Sequence, residues 1–399
     1  MTNEQKALLE LLSAFINNRS ISPSKFRKIS FEELFKEAKS QTVALMSFDL
    51  LANLKDMVPE QLYRNWLRYV GTAIKANIEI QQGQKELVEL LESNKFPYVI
   101  IKGEASSNYY SNPSKRMLGD VDFLVLESDI EGIKSLFKEK GYIIEQENHI
   151  CHITYLKNGI QYEMHFEVAG IPNGVIGGYV KDFLRDVIND SVSRSGFKAP
   201  NDLNHAVIIL LHIQHHFVSE GIGLRHLCDW ASFISNTHRC DFWQLELLPF
   251  LKKIGLFDFA MALTETACRY LKIEEPSWLI KTEKIITEEI IEDIFSGGNF
   301  GNKDELKAKS GVLISNHGKD GTKHSKCYNL FNAVKVAIYD KYPVCKRYPV
   351  LLLFLFPYSF LRQFILILLK KRTNILKAIP LANKRKELYD KLNIFEVEN

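Results

Sequence analysis

The chain has 399 residues, 46% of them hydrophobic and 25% charged, a balance that allows two or three folded domains and excludes wholesale disorder and fibrous repeats. Its 51 Lys and Arg against 48 Asp and Glu leave a net charge of +3, far from that of a dedicated nucleic-acid binder. The excess lies in residues 370–399, where eight basic residues outnumber four acidic ones and leave −1 for the first 369.

The first hundred residues read as helices: 4–17, a second from the capping box at Ser30-Phe31-Glu32-Glu33 to about 54, and a long one at 62–94. The apolar period then changes. Residues 97–101 read as a short buried strand ending at Lys102-Gly103, 104–110 as a brief helix, and 121–126 as a second strand. Residues 128–140 form an amphipathic helix closed by Gly141. Three strands follow at 142–147, 151–156 and 161–168, with Lys157-Asn158-Gly159 as the turn between the last two. Helical spacing returns at 203–219, 223–236, 241–254 and 257–271. The polar, glycine-rich stretch 296–326 reads as a flexible loop or lid, followed by a helix near 328–340, an apolar segment and a basic tail. The expected fold class is α+β. An N-terminal helical region (1–94) and a helical domain (200–295) flank a small mixed core (95–195), and C-terminal helices (327–399) complete the chain.

Chemistry concentrates in the core. Strand alternation puts Asp120 and Asp122 on one face while Val121 and Phe123 point into the interior. Two adjacent carboxylates repel, and a bound divalent cation such as Mg²⁺ removes that penalty. An exposed acidic pair on an edge strand would have the same sequence. Glu163, His165 and Glu167 share a face of the later strand. If that strand is an antiparallel neighbour, about 4.8 Å away, Glu163 completes a three-carboxylate cluster suited to two metals, with Glu167 as the substitute. Gly103 at the start of a short helix, with Ser106 in its first turn, suits phosphate, and Lys102 and Arg116 flank the acidic strand as cations.

The strand ending in Lys102-Gly103, the Tyr109-Tyr110 pair, Arg116-x-x-Gly119-Asp120-x-Asp122 and Glu163-x-His165 together resemble an uncharacterised nucleotidyltransferase family of the polymerase-β-like superfamily. The likeness extends to Leu210–Ile213, Gly223–Asp229 and Tyr342–Arg362. It implies a triphosphate held at Gly103, Mg²⁺ on Asp120 and Asp122, and Glu163 as third carboxylate. The implied reaction moves a nucleoside monophosphate from an NTP to a hydroxyl acceptor. One departure is Glu104, where the superfamily usually has Ser; it would set a carboxylate beside the phosphates.

His212, His215 and His216 lack the Glu of a zinc-protease motif and read as polar residues on a helix face. Arg225 and Asp229, four apart, either pair on their helix or join His165 facing an acceptor cleft. The six cysteines have no CxxC pair and read as reduced thiols in a cytoplasmic protein, and MTNEQKALLELL is no signal peptide. Residues 348–369 have bilayer-spanning length, but Pro357 and Arg362 interrupt them. Two short helices are expected there, packed on the protein or lying peripherally on an anionic membrane beside the basic tail.

Overall fold

The computed structural model describes residues 1–147, 149–314, 344–368 and 375–396, with isolated positions between 331 and 342. Helix α1 (Asn3–Ile16) begins with a reciprocal cap between Thr2 and Gln5. The helix expected to reach residue 54 is instead α2 (Phe31–Ser40) and α3 (Ala44–Leu51), broken at Thr42 with φ +58°. Gln41 supplies the reason. Its buried amide accepts from the Leu224 N–H at 2.9 Å and donates to the Ile294 carbonyl at 3.2 Å, so distant elements hold the break open.

Helix α4 (Glu60–Ser93) is long enough to serve two cores. Trp66 and Val70 join the large helical core, whereas Ile80, Leu87 and Leu91 join the core under the sheet. The sheet contains β1 (Tyr98–Ile100), β2 (Val121–Val125), β3 (Ile143–Gln146), β4 (His152–Lys157) and β5 (Ile160–His165), in the order β1-β2-β5-β4-β3. Helix α5 (Gly103–Ser107) follows β1, and α6 (Ile130–Glu139) follows β2. Gly141 closes the turn after α6 with φ +78°. Asn158 and Gly159 turn the β4–β5 hairpin with φ +53° and +78°, the pair of left-handed residues such a turn requires.

One pairing differs from expectation. β5 is antiparallel to β4, but it runs parallel to β2, aligning Asp122 with Glu163 and Leu124 with His165. The intervening α6, β3 and β4 provide the crossover that a parallel pair needs.

Beyond the sheet lie α7 (Gly174–Phe183), the hairpin β6 (Val192–Arg194) and β7 (Phe197–Ala199), α8 (Asp202–Val218) and α9 (Leu224–Thr237). They are followed by α10 (Leu248–Lys253), α11 (Phe257–Leu271) and α12 (Lys284–Gly297). The stretch read as a flexible loop contains α13 (Glu305–Ile314). Lys307 on α13 is buried and reaches the Asp293 carboxylate at 2.9 Å. Arg385, counted above with the basic tail, is also buried. From the helix Ile379–Lys391 it donates to the Phe217 carbonyl at 2.7 Å, the Lys307 carbonyl at 3.0 Å and the Ser310 hydroxyl at 2.7 Å. Residues 315–326, most of 328–340, and Lys370–Arg372 lie outside the described residues.

The apolar segment forms one helix, Leu352–Leu368, with Pro357 inside it, rather than two. Leu353, whose carbonyl loses its i+4 donor to the proline, is 71% exposed, so water can satisfy that group. Among the described residues, no helix is long and apolar enough to cross a membrane.

Candidate active site

The alternation of β2 and its parallel register with β5 bring the acidic residues together. Asp120, just before β2, Asp122 on β2 and Glu163 on β5 present carboxylate oxygens within 4.8 Å of one another. Asp122 is buried; the other two are half-buried. Two cations of the chain itself occupy the inner side. Lys102 Nζ lies 2.7 Å from Asp122 Oδ1, and His165 Nε2 lies 2.9 Å from the same oxygen and 3.3 Å from Glu163 Oε2. Lys102 has φ +52° and ψ −132°, a conformation that costs a side-chain-bearing residue on the order of 1–3 kcal/mol.

Three acids against two cations leave charge uncompensated. Repulsion from Asp122, reinforced by burial and Glu163, pushes the Asp120 carboxyl up to about 7. Burial also works against the Asp122 carboxylate, but Lys102 and His165 more than offset it and hold that group low. For His165, burial and Lys102 oppose the charged ring, and the nearby Asp122, Cys151 and Glu163 outweigh them, raising it to about 10. Carboxylate oxygens are the donors a hard divalent cation takes, and the misfit at Asp120 is the charge such an ion would neutralise. The trio therefore fits a hard divalent cation.

Other expected site residues are placed differently. Arg116 is buried and pairs bidentately with Asp229, Nε to Oδ1 at 2.7 Å and Nη2 to Oδ2 at 2.8 Å. The Tyr110 hydroxyl donates to the same carboxylate at 2.6 Å. Arg116 and Asp229 are thus paired with each other rather than Asp229 with Arg225. Arg225 instead donates to the Met117 carbonyl at 3.3 Å, and its Nε is buried with no hydrogen-bond partner among the described residues. Its charge interacts with Asp229 and with Asp120. Ser106 is buried. A Cβ added at Gly103 would have only an ordinary contact with the Asp120 carbonyl, so glycine is needed there for its φ of +21° rather than for space.

Glu104 does not face the phosphate turn. Its carboxylate accepts from Gln81 at 3.1 Å and Gln84 at 2.6 Å, both on α4. Glu167 is bonded to Lys181 at 2.7 Å and is not grouped with the acids. Among the described residues, His212, His215 and His216 form no group with metal-ligating spacing. A cluster missed from the sequence does: His149, Cys151 and His152, behind Glu163. Its residues are close in sequence, but the spacing matches no familiar zinc pattern.

No curated protein matches the chain significantly. Residues 27–272 match the profile of a family described as "uncharacterised nucleotidyltransferase". That span includes the sheet, the carboxylate trio and helices α8 and α9, and stops short of the Tyr342–Arg362 stretch where the likeness was also expected. With well over half of its length matched, this chain belongs to the uncharacterised nucleotidyltransferase family.

Proposed function

We propose that the chain is a Mg²⁺-dependent enzyme moving a nucleoside monophosphate from an NTP to a hydroxyl on a sugar or polysaccharide precursor, a protein or an RNA. The reading rests on the Asp120, Asp122 and Glu163 oxygens gathered within 4.8 Å beside a strained Lys102-Gly103 turn. The acceptor oxygen bonds to the α-phosphorus, the α–β bridging bond breaks, and pyrophosphate leaves with its electron pair. Bound at the trio, two divalent ions would acidify the acceptor hydroxyl and neutralise triphosphate charge. Asp120 and Asp122 would hold the ions, and Glu163 would act as third ligand or take the hydroxyl proton. Lys102, beside Asp122, and Arg225, whose charge acts on Asp120, would supply positive charge toward the phosphates.

The experiment pairs thermal melts with a transfer screen. Each of four labelled NTPs is incubated with cell extract, protein and Mg²⁺. The expected outcome is NTP protection that requires Mg²⁺ and label on one acceptor class. Neither protection nor label with any NTP overturns the reading in favour of a catalytically silent binding protein.

The apolar face of Leu352–Leu368 favours a peripheral location. Leu353 and Phe354 are more than 70% exposed, and Tyr358 and Leu361 more than half. With Lys370, Lys371 and Arg372 next in sequence, this helix suits the interface of an anionic membrane.

A further inference from the structure

We infer that His149, Cys151 and His152 form a second metal site of different chemistry, one for a thiophilic divalent cation of the Zn²⁺ class. The Cys151 sulfur lies 3.3 Å from His149 Nδ1 and 3.6 Å from His152 Nδ1. With Zn–S of about 2.3 Å and Zn–N of about 2.0 Å at a tetrahedral angle, sulfur and nitrogen on one ion stand roughly 3.5 Å apart. All three ligand atoms lie within 4.8 Å of one another, and the two imidazoles stack at 3.9 Å. Thiolate and imidazole together select borderline and soft cations, whereas the three carboxylates suit a hard one. The two neighbouring sites would therefore sort their ions by ligand chemistry.

A second observation points into the same place. His165 is fully buried and stands opposite His152 across the β4–β5 ladder. Its Nε2 serves Asp122, but its Nδ1 is buried with no hydrogen-bond partner among the described residues, and the Cys151 thiol acts on that ring. The wall of the position beside Cys151 and His152 thus carries an unsatisfied buried nitrogen, suited to a water bound on the ion.

The site also has a physical link to the carboxylates. With Nδ1 on the ion, the Nε2–H of His152 faces Glu163 Oε1, 3.8 Å away. A metal-bound imidazole that presents its other N–H to a carboxylate is the usual outer-shell arrangement. Here that carboxylate belongs to the trio, so the ion would hold the loop before β4 in place and orient Glu163. The metal assignment itself assumes nothing about nucleotide chemistry.

The test uses the purified full chain equilibrated with Zn²⁺ in the presence of excess Mg²⁺, with elemental analysis after desalting. One zinc per chain is expected. Cys151→Ser and His149→Ala should each weaken Zn²⁺ binding about 100-fold or more, while Cys240→Ser, at an exposed thiol, retains it. Co²⁺ in place of Zn²⁺ should give thiolate-to-cobalt charge-transfer absorption, absent in Cys151→Ser and retained in Asp120→Asn. Absence of bound zinc, equal zinc in Cys151→Ser, or loss of the cobalt band in Asp120→Asn would each overturn the site. If Cys151→Ser does not fold, His149→Ala decides alone, because His149 is only half-buried and lies outside the strands.

Discussion

Arg116 and Asp229 meet as one cation and one anion with two parallel hydrogen bonds, and Tyr110 occupies the remaining demand on the carboxylate. Asp120, Asp122 and Glu163, on the neighbouring strands, set three acids against Lys102 and His165. Both clusters are largely buried, and the second leaves a carboxyl displaced, with Asp120 at about 7. A balanced buried pair stabilises architecture and has nothing left for a ligand. An imbalanced one stores repulsion that an added cation relieves. Glu10 is the opposite imbalance: one carboxylate among Arg19, Lys25 and Lys272, at 2.8, 3.0 and 2.7 Å.

The largest expected effect comes from breaking the acidic cluster. Asp122→Asn should lower nucleotidyl transfer by about 10³-fold or more and abolish the Mg²⁺-dependent rise in melting temperature. Near-normal transfer at saturating Mg²⁺ would remove the metal assignment.

Breaking the balanced pair should act on stability instead. Arg116→Ala leaves Asp229 buried and uncompensated, at a cost of about 3–5 kcal/mol in chemical denaturation, whereas the double replacement Arg116→Met with Asp229→Leu should recover most of it. The folded fraction of Arg116→Ala should keep its Mg²⁺-dependent melting shift. Loss of that shift would mean that Arg116 belongs to the reacting site.

Two pH experiments then sharpen the contrast. Burial opposes the Glu10 carboxylate, but its cations hold it down at about 2, so its contribution is fully present above the unfolded value near 4.5 and is lost as pH falls toward 2. Wild-type protein should therefore lose on the order of 2 kcal/mol more than Glu10→Gln between about pH 5 and pH 2. Asp120 has the opposite sign. Its raised carboxyl destabilises the metal-free fold increasingly from about pH 4 to pH 7, so Asp120→Asn should raise the metal-free melting temperature at pH 8, by on the order of 1 kcal/mol of added stability. A lowered melting temperature would show that the acids are not in conflict.

The smallest effect belongs to the C-terminal apolar helix. Flotation with anionic vesicles should be weak, near 1 kcal/mol per basic residue engaged, and should fade in high salt as screening shortens the reach of those charges to a few ångströms. Equal flotation with neutral vesicles in high salt would exclude the electrostatic part of that reading.

What could be read from the chain alone was whatever depends on near neighbours. The period of two that aligns Asp120 with Asp122, the left-handed Gly141, and the Asn158-Gly159 hairpin follow from local sterics and the pleat of a strand. Family membership was legible for the same reason, since its motif is a run of adjacent residues around β2 and another on β5. Tertiary structure alone decided the pairings between groups far apart in sequence. Glu104 turned to Gln81 and Gln84, Arg116 found Asp229 113 residues away, Arg385 went inside to meet carbonyls of α8 and α13, and β5 chose a parallel place beside β2. A charged side chain has the same local sequence whether it is solvated or buried. Its destination is settled only when folding removes water and every buried charge must be met by a partner.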